Sequence, residues 1–300
     1  MKSIYKTFFI GLLLVGVSSC SDSDQQPDPD FVPKNINSTF SKSNSPVVLI
    51  DEAHNNFLTK TGRYKPFSQV LSSDGYTVKS SKKKFTLTYL KQADILVVAN
   101  ALDKNRQDWT PPFGDAFDNG EVKAIKQWVS QGGSLFLVAD HTPFPNVIEK
   151  LSSAFGFEFS NGHVRDALFH LDNKTLIDHS ITQGNSRSER ITQVKTFGGS
   201  AFQIPESAQP LLILGKRATS VVPEIPFQVN AKTPRVSMNG WYQGAVLEVG
   251  EGRVAVFSEG MTFSSQITVS TGKKYGLASD GAEQNEQFLL NVMHWLSGLI

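Results

Sequence analysis

The stretch Gly132-Gly133-Ser134-Leu135-Phe136-Leu137-Val138-Ala139-Asp140-His141-Thr142-Pro143 decides how the chain folds. A glycine pair opens it. An unbroken apolar run follows, and two ionisable residues stand where the run ends. An apolar run of this length between Gly-Gly and Thr-Pro predicts a strand covered on both faces. Open parallel sheets bind ligands outside the carboxyl ends of such strands, the edge where Asp140 and His141 fall.

The same pattern recurs on either side. Val47 to Ile50 is a β-branched apolar run ending in the polar cluster Asp51-Glu52-Ala53-His54-Asn55-Asn56. Tyr64, Phe67, Val70 and Leu71 recur at helical spacing, stopped by Asp74-Gly75. Tyr76–Ser80 reads as a second strand, Lys82 to Lys84 as a solvated loop, and Asp94–Asn100 as a third buried strand ending in an amide. Residues 101–119, with Pro111-Pro112, form a long loop, and long loops are commonly functional. Glu121–Gln131 is an amphipathic helix, with Asn119 as N-cap and Gly132 at its end. A further helix follows Pro145 and stops at Gly156. This alternation across residues 46–156 predicts a doubly wound, mostly parallel α/β sheet.

Beyond Gly156 the pattern weakens. Residues 157–205 are polar and read as an irregular insertion in which His163, His170 and His179 face solvent or sit behind a site. Leu211–Leu214 is a strand. Ala245–Val249 and Arg253–Phe257, joined by Gly250-Glu251-Gly252, form a β-hairpin. Asp280 to Glu283 resembles a capping box, opening a final helix whose apolar face carries Phe288, Val292, Trp295 and Leu296. Residues 46–300 therefore read as one α/β domain.

The chain of 300 residues carries a net charge of +1 and 39% hydrophobic residues. Near-balanced charge leaves no electrostatic footprint for nucleic acid. Lys2 and Lys6 precede an apolar run, Phe8–Val17, of signal-peptide length. It ends in Val17-Ser18-Ser19-Cys20 and resembles a bacterial lipoprotein signal. Residues 1–19 are then removed, Cys20 carries the lipid, and residues 20–45 form a disordered tether. The expected place is the bacterial cell envelope, anchored to a membrane on the extracytoplasmic side, with the outer membrane preferred. Cys20 is the only cysteine, so thiol catalysis and disulfides are excluded. Cleavage removes two lysines and no acid, leaving 27 basic against 28 acidic residues.

Several of these segments carry a family resemblance. They are the ID-x-AH-x-N end of the first strand, Gly62-Arg63-Tyr64-x-Pro66-Phe67, Asp74-Gly75-Tyr76, the Gly132-to-His141 strand, and Asn285-x-x-Phe288-x-Leu290-Asn291-x-x-x-Trp295-Leu296. Together they resemble the domain group labelled DUF4350. That group is similar to the GIFT domain of gliding-motility and ciliary transport proteins, and more distantly to class I glutamine amidotransferases and ThuA-like proteins. The resemblance covers residues 46–300 outside the insertion. It implies a flavodoxin-like fold and, from some relatives, sugar binding; relatives in gliding assemblies imply a scaffold in an envelope complex. Amidotransferases place a cysteine at a sharp turn after a central strand, whereas this chain has Asp140-His141, so their chemistry does not carry over. Asp51-Glu52-Ala53-His54 also spells a helicase DEAH box. The phosphate-cradling G-x-x-x-x-G-K-[ST] such ATPases need is missing: Arg217 follows Gly215-Lys216, and Lys274 follows Gly272-Lys273.

Neighbouring parallel strands would bring Asp51, His54, Asn100, Asp140 and His141 to one edge, joined by Glu259 and by Ser264 and Gln266 in the loop beyond. The set supports three kinds of chemistry. Asp51, His54, Asp140, His141 and Glu259 suit general acid–base catalysis, as in a hydrolase acting on carbohydrate. Asp51, His54, Asp140 and His141 also suit a divalent metal, although no H-x-H or H-x-x-x-H spacing supports one. Asn55, Tyr64, Asn100, Trp109 and Gln266 supply the amides and aromatic platforms of a sugar- or ligand-binding site without catalysis. No G-x-S-x-G elbow supports a serine triad. Singly, these residues also have structural uses: Asp51 as a cap of the next turn or an acceptor for backbone amides, Asp140 as an Asx turn, His54 as a surface loop residue.

Overall fold

The computed structural model describes residues 24–300; the leader and Cys20 lie outside the described residues. The strands run β1 (Gln25–Pro27), β2 (Val47–Asp51), β3 (Thr77–Ser81), β4 (Ile95–Ala99), β5 (Ser134–Val138), β6 (Glu158–Ser160), β7 (His163–Val164), β8 (Ala167–His170) and β9 (Gln193–Thr196). They continue as β10 (Ala201–Gln203), β11 (Gln209–Ile213), β12 (Thr219–Val221), β13 (Arg235–Ser237), β14 (Tyr242–Val249), β15 (Gly252–Phe257), β16 (Ser265–Thr268) and β17 (Lys273–Gly276). The α-helices are α1 (Lys65–Ser73), α2 (Leu87–Leu90), α3 (Asn119–Ser130), α4 (Phe144–Val147), α5 (Glu149–Ala154), α6 (Ser180–Gln183) and α7 (Asn285–Leu296).

The main sheet has the order β3-β2-β4-β5-β15-β14-β10-β6, with β11 also paired to β14. β3, β2, β4, β5 and β15 are parallel; every pairing beyond β15 is antiparallel. The sheet is thus mixed rather than mostly parallel. The pivot is the β14–β15 hairpin, whose second strand pairs with β5 from Arg253↔Ser134 to Phe257↔Val138. That register sets the residues after β15 beside those after β5.

Successive strand residues face opposite layers, the period-2 rule that built the apolar runs. Phe136 and Val138 pack in one cluster with Phe67 and Val70 of α1 and Phe288 and Val292 of α7. Leu135 and Leu137 pack in the other with Ile125 and Val129 of α3 and Leu151 of α5. Each fully buried Leu or Phe contributes about 1.5–3 kcal/mol, so both layers are needed to hold the edge.

Four local expectations are corrected. Residues 24–45 are docked rather than a disordered tether. β1 pairs with β16. Asp28 is buried, accepting from Ser265 and paired with Lys274 at 3.0 Å. The Lys34 and Asn35 amides donate to Glu286, and Phe40 packs edge-on against Tyr76. A few anchors, not overall apolarity, hold the segment down. Second, residues 157–205 are not an irregular insertion: β6 and β10 extend the main sheet, and β8 and β9 form a ribbon. These strands are two to four residues long, too short to show a period.

Third, Asp118 rather than Asn119 caps α3, in a capping box with Glu121. Fourth, α7 starts at Asn285, and Glu283 instead accepts from the Gly281 amide. The helix expected after Pro145 starts at Phe144 and is interrupted at Ile148. The loop from 101 to 118 holds no helix or strand, as its prolines predict.

Candidate functional site

The carboxyl edge is built around the turn after β5. Asn100, one residue past β4, takes a left-handed conformation (φ 49°), which asparagine tolerates better than most side chains. In that conformation it brackets Asp140. Asn100 Nδ2 donates to Asp140 Oδ2 at 2.7 Å, and the Asp140 amide donates back to Asn100 Oδ1 at 2.9 Å. The Gly260 amide donates to Asp140 Oδ1 at 2.5 Å. A Cβ at Gly260 would lie 2.5 Å from Leu58 and 3.2 Å from the Tyr64 hydroxyl, so any side chain there would have to displace Leu58. The Tyr64 hydroxyl, fully buried, donates to Gly260 O. Burial, then the charges of Asp140 and Glu259, push its pKa well up.

Glu259 lies directly behind Asp140. Its carboxylate accepts from the amides of Phe197, Met261 and Thr262 and from the Thr262 hydroxyl. Burial, then the Asp140 charge, raise its pKa to about 7, against the pull of these donors. It is 2% exposed, with both oxygens engaged.

In front of Asp140 the edge turns aromatic. The His141 ring lies 5.3 Å from the rings of His163 and Phe227 and 5.8 Å from Phe144. Trp109, from the long loop after β4, stands 5.5 Å from Phe227 and 6.3 Å from Phe57, both nearly perpendicular. The Arg63 guanidinium covers Phe57 at 4.1 Å. Phe227 is 42% exposed, and Trp109, Phe57, Asp140 and His141 are half-buried. The result is a half-open cluster of rings beside a polar pair, termed the aromatic crevice. His163 belongs to it; desolvation of the ring, then the charges of His141 and Arg165, hold its pKa down to about 4.

Asp51 and His54 belong to a different, closed group. His54 Nδ1 meets Asp51 Oδ2 at 2.9 Å, and Nε2 meets Glu121 Oε1 at 3.0 Å. Asn56 donates to Asp51, and the Phe85 amide donates to Glu121. His54, Asp51 and Glu121 are at most 4% exposed. Burial lowers the His54 pKa, but the hydrogen bond and charge of Asp51, then Glu121, outweigh it and raise it. Asp51 also accepts from the Ala53 amide, the backbone role expected of it, whereas His54 is buried and not a surface loop residue.

The edge therefore sorts into two groups. Buried Asn100 holds Asp140, His141 joins Trp109 through Phe144 and Phe227, and Glu259 and Tyr64 lie buried beneath. Asp51 and His54 lock β2 to α3. Asn55 is exposed beside His54 on a separate cavity of about 500 Å³. Gln266 is not at the edge. It is buried in β16 opposite Pro27, its Oε1 without a hydrogen-bond partner. Ser264 donates to Arg63 O, and His179 caps α6. Among the described residues no group of three or more His, Cys, Asp or Glu is placed to hold a metal ion. Sequence reasoning missed Glu121, Phe57 and Phe227. Glu121 carried a signal, lying three residues after Asp118 as capping boxes require. Phe227 carried a weaker one, an aromatic in a proline-flanked loop.

No family model matches the chain, and no curated protein matches its sequence. Solved structures do match. The IFT52 N-terminal domain ("mmIFT52") aligns with a TM-score of 0.56 at 14% identity, over 84% of this chain and 97% of that one. The cytoplasmic protein STM3548 from Salmonella typhimurium aligns at 0.50 and 10% identity, over 84% and 98%. A ThuA-like protein from Bacteroides uniformis aligns at 0.49 and 13% identity, over 86% and 94%. At these identities the first two likenesses concern the fold alone, a mixed α/β architecture.

Proposed function

We propose that the chain is an envelope lipoprotein that binds carbohydrate at the aromatic crevice without turning it over. The observation that carries this reading is the crevice itself. Half-buried Trp109 and exposed Phe227 offer ring surface beside the half-buried polar pair Asp140 and His141, the combination that recognises a neutral polyol. The carboxylates that a hydrolase would use are otherwise engaged: Glu259 by amides, Asp51 by His54 and Asn56. The fold is of the flavodoxin-like, class I glutamine amidotransferase-like kind. In its favour, β3-β2-β4-β5-β15 reproduces the 2-1-3-4-5 order of such sheets, with the binding edge at their carboxyl ends. Membership of the DUF4350 and GIFT-like group, cleavage before Cys20, lipid anchoring and an extracytoplasmic place in the outer membrane belong to the same proposal. Among the described residues no helix is long and apolar enough to cross a membrane.

Calorimetric titration with a panel of neutral oligosaccharides tests the reading. Saturable binding that does not decay with time, and weakens in Trp109→Ala, is expected. Absence of binding to every glycan overturns it. Labelled palmitate incorporation that vanishes in Cys20→Ser tests the anchor. One observation favours a hydrolase as a second reading: Glu259, with a pKa raised to about 7, lies beside Asp140, a pairing that acid–base catalysts use. Release of reducing ends over hours, abolished in Glu259→Gln, would establish that reading and displace the first.

A further inference from the structure

A second cavity, of about 510 Å³, opens in the β-rich half of the molecule. The pairing of β7 with β12 builds it. Val164 lies opposite Ser220, so Arg165, next along, runs beside Thr219 and the turn before it. That turn is Gly215–Ala218, closed by the Ala218 amide on Gly215 O at 2.9 Å, with Lys216 and Arg217 at its two central positions. The lining therefore has two parts: an apolar floor of Val164, Phe169 and Leu214, each at most 3% exposed, and an exposed cationic rim of Arg165, Lys216 and Arg217.

Against these three cations the lining offers one acid, Asp166. No salt bridge among the described residues engages Arg165, Lys216 or Arg217, whereas Lys84, Arg106, Lys150, Arg190, Arg253 and Lys274 all have carboxylate partners. A chain with balanced charge has no compositional reason to gather three unpaired cations at one mouth. Like charges so placed repel, and among the described residues no salt bridge or ring contact uses them. A concave wall with an apolar floor focuses their field outward.

We infer that this cavity is a binding site for a small molecule that carries an oxyanion — carboxylate, sulfate or phosphate — on an apolar or ring-shaped body. The oxyanion meets Arg165, Lys216 and Arg217, and the ring lies over Val164, Phe169 and Leu214. The site stands apart from the aromatic crevice, which it adjoins through β7: His163 faces His141, and Arg165 faces the cavity. It does not depend on the crevice binding sugar.

The experiment is calorimetric titration of the full chain with four probes that share one ring: 4-nitrophenyl glucuronide, sulfate and phosphate, and the neutral 4-nitrophenyl glucoside. At about 20 mM salt at least one anionic probe is expected to bind about tenfold or more tighter than the glucoside, with the advantage shrinking as salt rises. The tightest of the three identifies the head group. The exposed double variant Lys216→Glu, Arg217→Glu, with its fold verified by circular dichroism, abolishes the advantage, and Arg165→Ala reduces it. Trp109→Ala leaves it intact, so failure of the crevice and failure of this site are distinguishable. Equal binding of charged and neutral probes, no binding of any anionic probe, or an undiminished preference in the double variant overturns the inference.

Discussion

Asp51 with His54 and Asp140 with His141 look alike on paper. Both pairs follow an apolar strand, and both land on the carboxyl edge. The molecule uses them in opposite ways. His54 is clamped between two carboxylates and sealed from solvent, joining the end of β2 to the first turn of α3. Asp140 and His141 stay half-open, held by an amide and a glycine turn and faced by rings. The residue types are the same; what differs is where the next carboxylate along the edge spends its oxygens. Glu121 arrives at the first pair. At the second, the incoming carboxylate, Glu259, spends its acceptors on the backbone of its own turn.

The largest effect should fall on the closed group. His54→Leu leaves Asp51 and Glu121 buried without their shared cation, a loss of about 3–5 kcal/mol readable from urea denaturation. Glycan binding per folded molecule should survive. A loss under about 1 kcal/mol would mean that the clamp is slack and the contrast false. The pH dependence has a definite sign. The folded pKa of His54 is raised, so its contribution is complete below about pH 6.5 and is lost as pH rises through the folded value.

Glu259 sharpens the contrast from the other side. Between pH 4.5 and about 7 the folded state keeps a proton that the unfolded chain has shed. The folded state binds more protons across that window, so raising the pH favours unfolding. Glu259→Gln should flatten this slope, by up to about 3 kcal/mol, in denaturation midpoints measured across the window. An unchanged slope would show that the amide donors keep the carboxylate ionised.

Asp140→Ala should cost about 1–3 kcal/mol, since the Gly260 amide and the Asn100 side chain lose their acceptor. It should also remove glycan binding, so its signature is loss of both, where His54→Leu loses one. Phe227→Ala closes the series. At an exposed ring, stability should move by no more than about 0.5 kcal/mol, while affinity falls about tenfold, or about 1.4 kcal/mol. Full affinity in that variant would remove the rings from the binding account.

The strands and the edge were legible because burial on both faces leaves an unmistakable run, as at Leu135 to Val138, and because parallel pairing carries strand ends to one side. The division of that edge was not legible. It depends on Glu121, sixty-seven positions from His54 and partnered with it only through α3. The β-rich half was obscured for a related reason. Phe202 pairs with Phe159 and with Tyr242, and a three-residue strand with distant partners has no local period to display. The N-terminal segment misled through its composition, because polar chains are held as well by a few directed hydrogen bonds as by apolar bulk. Glu286 and Asp74 each receive two such bonds from it.

That docked segment changes what an anchor at Cys20 would mean. The described residues begin at Asp24, whose carboxylate holds Ser270 at the tip of the β16–β17 hairpin. Four peptide units separate Cys20 from Asp24, at most about 14 Å when fully stretched. With the proposed lipid at Cys20, the protein is moored on a short line instead of drifting on a long one. The hairpin tip, with Val269 at 56% exposure, is held within a few turns' length of the bilayer. Its reach into the surroundings is then set by the body's own dimensions, and whatever it captures must come down to the membrane surface to be caught.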